Sequence, residues 1–109
     1  MAQPEAAFKR KIQRRIKAVL EARQMPSKLT WNGGSPFGTP RLDCDGIIGG
    51  WPVAIEVKAP GGTHPLTARQ KLDMDEYRRA GAKVFLIDSE RSLDEFIAWL
   101  TLVPQRFDI

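Results

Sequence analysis

Residues 43–58, Asp-Cys-Asp-Gly-Ile-Ile-Gly-Gly-Trp-Pro-Val-Ala-Ile-Glu-Val-Lys, constrain the fold of this chain more than any other stretch. Two apolar runs meet at Gly49-Gly50, a dipeptide suited to tight chain reversal, so the segment reads as two antiparallel strands. Strand side chains alternate between faces. Val53, Ile55 and Val57 therefore share one face, while Glu56 and Lys58 share the other. An aspartate of the first strand meets Glu56 in either of two registers. A two-residue turn at Gly49-Gly50 sets Ile48 against Trp51, and hence Asp43 against Glu56. A four-residue turn through Pro52 puts Asp45 there instead. Pro52 cannot donate a ladder hydrogen bond, which favours the longer turn and Asp45. Gly46, just after it, permits a bend.

Facing residues of paired strands lie roughly 4.5–5.5 Å apart. Two carboxylates at that distance repel, and burial sharpens the repulsion unless a cation joins them. Only oxygen ligands are on offer, which points to Mg²⁺ or Mn²⁺. Such an ion polarises a phosphate and lowers the pKa of a bound water. Lys58 is placed to hold that water or to neutralise charge developing on phosphorus. The Val57 carbonyl is a further candidate ligand.

The rest of the chain supplies a frame for this hairpin. Pro4 to Gln24 reads as a helix whose apolar stripe is Phe8, Ile12, Ile16 and Val19, with Arg10, Arg14, Lys17 and Glu21 opposite. Glu5 falls in line with the apolar stripe and is expected to point toward the body of the protein. Lys28–Asn32 reads as a short strand, followed by a Gly/Pro-rich loop over residues 33–40. Thr67-Ala68-Arg69-Gln70 is a capping box opening a helix to about Ala80, stopped by Gly81. Gln70, Met74 and Tyr77 share the face expected to pack on the sheet. Lys83–Asp88 reads as a buried strand, and Ser92-Leu93-Asp94-Glu95 as the capping box of a last helix with Phe96, Ile97 and Leu100 inward. The order is helix, strand, strand, strand, helix, strand, helix. The expected fold is therefore α/β, a small mixed sheet flanked by helices and containing one right-handed β-α-β unit.

Composition removes other chemistries. With 109 residues the chain is sized for one domain, and 42% hydrophobic residues argue for a folded core. A single Cys and a single His leave a tetrahedral Cys/His zinc site short of ligands. His64 sits in a Gly/Pro loop with no nucleophile motif near it, and neither Gly33-Gly34 nor Gly61-Gly62 has the spacing of a nucleotide-binding loop. The lone Cys44 fits a reducing cytoplasm, no secretory leader is expected, and no apolar run is long enough to span a bilayer. A net charge of +4 favours a polyanionic partner. Lys28, His64, Arg69 and Lys71 are the candidate phosphate contacts, joined by Lys9 and Arg10 on the basic side of the first helix.

Taken together, Asp45, Glu56 and Lys58 match the PD-(D/E)XK nuclease pattern, and the chain resembles its small VRR-NUC branch. The resemblance is carried by Asp45-Gly46-Ile47-Ile48, by Ala54-Ile55-Glu56-Val57-Lys58-Ala59-Pro60-Gly61, by Leu66-Thr67-Ala68-Arg69-Gln70 and by Ala80-Gly81-Ala82-Lys83-Val84. These words extend over a core of about residues 5–97 within a single domain, 1–109. The resemblance implies a restriction-endonuclease-like α-β-β-β-α-β-α core. It implies Asp45 and Glu56 as metal ligands, Lys58 as the catalytic lysine, Glu5 as the helix-one acid and Gln70 as the glutamine opening the following helix. One departure is visible: Cys44 stands where the family often has proline before its aspartate. The implied function is Mg²⁺-dependent endonuclease cleavage of DNA, of branched or Holliday-junction type, by a homodimer in a bacterial or phage-infected cytoplasm. The rival expectation is a non-catalytic DNA-binding or assembly module that retains the nuclease scaffold.

Overall fold

A computed structural model describes residues 4–32, 42–62 and 64–106; the expected loop over 33–40 lies outside the described residues. The elements follow in the order α1 Glu5–Arg23, β1 Ser27–Trp31, β2 Cys44–Ile48, β3 Trp51–Val57, α2 Ala68–Arg79, β4 Lys83–Ile87 and α3 Glu90–Leu102. The strands form one sheet in the order β1-β2-β3-β4. β1–β2 and β2–β3 are antiparallel, and β3–β4 is parallel across the α2 connection. This is the mixed α/β sheet expected from the sequence.

Alternation along β3 builds a core on each side of the sheet. Val53, Ile55 and Val57 pack with Phe8, Ile12 and Ile16 of α1 and with Leu93, Phe96 and Leu100 of α3. On the opposite face Ala54 joins Leu42 and Met74, with Leu66, Tyr77, Val84 and Leu86 around them. The helix phases read from the sequence hold for Phe8, Ile12 and Ile16, all buried, and for Met74 on α2. Glu5 departs from its phase: its side chain is 46% exposed at the first turn of α1. At that exposed helix start a carboxylate gains more from water than from an apolar neighbour.

Helix starts follow their caps. Thr67 accepts from the Gln70 N–H at 3.1 Å and the Gln70 side-chain carbonyl accepts from the Thr67 N–H at 2.9 Å, completing the expected capping box. The last helix begins earlier than expected. Ser89, not Ser92, is its N-cap, and Ser92 Oγ accepts from the Ser89 N–H at 3.0 Å in the place where Glu or Gln commonly serves.

The β2–β3 register corrects the sequence reading. Ile48 pairs with Trp51 and Asp45 with Ala54. The turn is the two-residue one, with φ of 54° at Gly49 and 88° at Gly50, both positive as a type I′ turn requires. Pro52 does not oppose this register. Antiparallel pairs alternate between hydrogen-bonded and non-hydrogen-bonded. The flanking pair Ile48–Trp51 is bonded, so the nitrogen of Pro52 faces away from β2, and β4 begins pairing only at Val53. Counting on from Asp45–Ala54, Asp43 is the residue opposite Glu56.

Gly46 is required by close approach rather than by a bend. A Cβ there, at φ +155°, would lie 1.9 Å from the Lys28 carbonyl oxygen on β1. Gly46→Ala is expected to lower the free energy of unfolding by about 2–4 kcal/mol, since only backbone can give way. Urea unfolding of the purified variant measures this; a loss under about 0.5 kcal/mol would mean that β1 shifts freely.

Candidate active site

Three segments converge at the C-terminal end of β3. Asp43 is held just before β2 by the end of β1: the Asn32 N–H donates to the Asp43 carbonyl at 2.8 Å and Asn32 Nδ2 to the Leu42 carbonyl at 2.8 Å. Its side chain turns to β3, where Oδ2 accepts from the Val57 N–H at 2.8 Å. Glu56 lies one residue away and is only 3% exposed. Its Oε1 accepts from Gln70 Nε2 at 3.1 Å, while its Oε2 is buried without a hydrogen-bond partner. Gln70 thus acts twice, its carbonyl capping α2 and its amide reaching the acid.

Burial is the main reason that the Glu56 carboxyl is pushed up to about 8, followed by the hydrogen bond that only its protonated form can give to Asp43 and by the Asp43 charge; the Lys58 charge pulls the other way. When both acids are ionised nothing between them can donate a hydrogen bond. A proton on Glu56 relieves this, and so does a cation. The orphaned Oε2 beside a second carboxylate fits a hard divalent ion with oxygen ligands. Among the described residues two carboxylates, Asp43 and Glu56, form this centre, and Glu5 stands outside it.

Asp45 is on the same face but differently employed. It pairs with Ala54, and its Oδ2 accepts from the Tyr77 hydroxyl at 2.8 Å, tying β2 to α2. Cys44 between the two aspartates points into the other core. Burial, then the charges of Asp45 and Asp43, push its thiol up to about 12, so it remains protonated and unreactive.

Lys9 occupies a place that the sequence did not suggest. Expected to be a basic surface contact, its Nζ lies 2.6 Å from Asp43 Oδ1 and 3.6 Å from Glu5 Oε2. Partial burial works against its charge, but the hydrogen bond and charge of Asp43, with Glu5 adding to them, outweigh that and raise its pKa.

Lys58 continues the β3–β4 ladder, its N–H donating to the Ile87 carbonyl at 3.0 Å. With Gly61, Gly62, His64, Leu66 and Asp88 it lines a cleft of about 500 Å³. His64 therefore shares a cleft with Lys58, while Asp43 and Glu56 are not among the residues that line it. The other expected phosphate contacts are dispersed. Lys28 is exposed on β1 opposite Ile47, Lys71 and Arg10 are exposed on their helices, and Arg69 bridges Asp73 at 3.4 Å. Of the expected ligands, the Val57 carbonyl lies at the right strand end, but it is the Val57 N–H that meets a carboxylate.

No helix among the described residues is long and apolar enough to cross a membrane. Comparison of the chain with protein-family models, with curated proteins and with solved structures found no match.

Proposed function

We propose that this protein is a Mg²⁺-dependent DNA endonuclease of the PD-(D/E)XK type, with Asp43 and Glu56 as its acidic pair and Lys58 as its catalytic lysine. The observation that carries the reading is the Glu56 carboxylate, buried with one oxygen unpartnered beside Asp43. Such a group is costly to leave ionised and alone, so its natural complement is a cation. Asp43, Glu56 and the Val57 carbonyl are the groups that would hold Mg²⁺, or Mn²⁺ in its place. When bound, the ion supplies charge to a scissile phosphate and acidifies a water.

The chain's own residues have distinct tasks. The Val57 N–H orients the Asp43 carboxylate, and Gln70 fixes Glu56 through Oε1. Lys58 brings a positive charge to the cleft wall, where it steadies the attacking water or the charge that develops on phosphorus. His64 on the same cleft is a contact for the phosphate backbone. Exposed Lys28, Lys71 and Arg10 add a diffuse attraction whose strength falls with salt. Action on branched DNA and a homodimeric state belong to the same proposal, because one site per chain needs a second copy to cut both strands symmetrically.

Purified protein incubated with four-way junction, flap and linear DNA in Mg²⁺ tests the reading. Cleavage is expected to need the metal and to fall on the order of 10²-fold in Lys58→Ala. Salt-sensitive binding without metal-dependent cutting would favour the non-catalytic module, and equal cutting by wild type and variant would remove Lys58 from the chemistry.

A further inference from the structure

Both oxygens of Asp43 are already engaged, and unequally. Oδ2 is bound by a backbone amide, which the strand holds in place. Oδ1 is bound by the Lys9 ammonium, carried on a flexible four-carbon stem rather than on the backbone. A cation joining Asp43 to Glu56 would approach the oxygen that the backbone does not hold, and that oxygen is Lys9's. Lys9 also has a second carboxylate in reach, because Glu5 lies one turn back on α1 at 3.6 Å. Glu5 touches neither Asp43 nor Glu56 in any hydrogen bond among the described residues, and its carboxylate faces solvent.

We infer that Lys9 is an exchangeable counter-cation of this site: it neutralises Asp43 before a divalent ion arrives and transfers to Glu5 when the ion takes Asp43 Oδ1. The inference rests on the metal-dependent reading above and assigns two residues that act on metal loading without ligating the metal. Lys9 is then a competitor of the ion, and Glu5 helps loading only by receiving Lys9. The ammonium keeps its proton throughout, so the exchange replaces one ionic contact of Asp43 by another and moves no other charge.

The sign of each substitution follows. Lys9→Met removes both competitor and repulsion and is expected to tighten Mn²⁺ binding roughly three- to tenfold, the range of a partly screened pair at this distance. Lys9→Arg retains the charge and a stronger carboxylate fork, so its affinity stays at or below that of wild type. Glu5→Gln removes the receiving group and weakens binding about twofold, as befits an exposed pair spaced by four residues. In the Lys9→Met background Glu5→Gln is expected to have no effect, because nothing remains to be received.

Calorimetric titration of Mn²⁺ into the wild type, the three single variants and the double variant reads all of this without any cleavage assay. Thermal melts in chelator provide a second reading, in which Lys9→Met melts below wild type without metal and gains more from added Mn²⁺. Wild type and Lys9→Met binding Mn²⁺ with equal affinity would overturn the exchange while leaving the metal site standing. A Glu5→Gln effect that persists in the Lys9→Met background would make Glu5 a direct ligand and overturn its assigned role. Failure of every variant and of wild type to bind Mn²⁺ would overturn the metal reading, and the exchange with it.

Discussion

Asp43→Asn is expected to reduce Mg²⁺-dependent DNA cleavage on the order of 10²- to 10³-fold, while Asp45→Asn leaves it within about threefold of wild type. The two aspartates are two residues apart, Asp43 just before β2 and Asp45 within it, and what separates them is which residue of β3 each faces. Asp43 lies opposite Glu56 and is aimed at the end of β3 by the Val57 N–H. Its asparagine keeps an acceptor for that amide and nearly the same volume, but loses the charge with which a cation would be held. A loss of several kcal/mol of transition-state stabilisation is the ordinary cost of removing such a charge. Asp45 faces Ala54 and accepts the Tyr77 hydroxyl, a task that an asparagine carbonyl performs as well. Initial rates on one DNA substrate at fixed Mg²⁺, with circular dichroism confirming both folds, measure the pair. The reverse ranking would mean that the catalytic aspartate is the one suggested by the family words and not the one opposite Glu56.

The second large effect is on stability. The Glu56 carboxyl titrates at about 8 in the folded chain against an ordinary 4.5. Below pH 4.5 both the folded and the unfolded forms carry the proton, and Glu56 is neutral to the balance. As pH rises toward 8 the unfolded chain releases that proton while the folded chain retains it, so unfolding is favoured by roughly 1.4 kcal/mol for each pH unit. The metal-free protein should therefore lose a few kcal/mol between pH 5 and pH 8, with a plateau above. Glu56→Gln removes the titration and retains a partner for Gln70. It should match wild type near pH 5 and exceed it near pH 8. Divalent metal should restore wild-type stability most at the alkaline end, where the carboxylate is free to bind. Urea midpoints of both proteins in chelator across this range decide the matter, and parallel curves would show that Glu56 ionises without penalty.

Much of the fold was legible because its signals were local. The Thr67–Gln70 capping box, the Phe8–Ile12–Ile16 stripe and the positive-φ glycine pair each specify a short piece of backbone, and each is found. The register of the β2–β3 hairpin was misread. Pro52 counts against a short turn only if its nitrogen faces a neighbouring strand, and that depends on which pairs are hydrogen-bonded and where β4 begins. The glycine pair was the better guide, since two successive positive φ angles suit a two-residue turn. Lys9 was misplaced for a related reason. On the helix wheel it falls between Ile16 and Leu20 at one margin of the apolar stripe, the border between core and solvent, and only the tertiary approach of α1 to the start of β2 turns it onto Asp43. Tyr77 carried a hint, as a hydroxyl on the packing face of α2 needs an acceptor, and Asp45 provides it.

Titration of Mn²⁺ into wild type, Asp43→Asn and Asp45→Asn by calorimetry at pH 7.5 addresses the acidic pair with no assumption about substrate. Saturable binding by wild type, weakened at least about tenfold in Asp43→Asn and nearly unchanged in Asp45→Asn, is the expected pattern. Absence of binding by wild type, or its loss in Asp45→Asn with Asp43→Asn unaffected, would show that the Asp43–Glu56 pair is not a cation site.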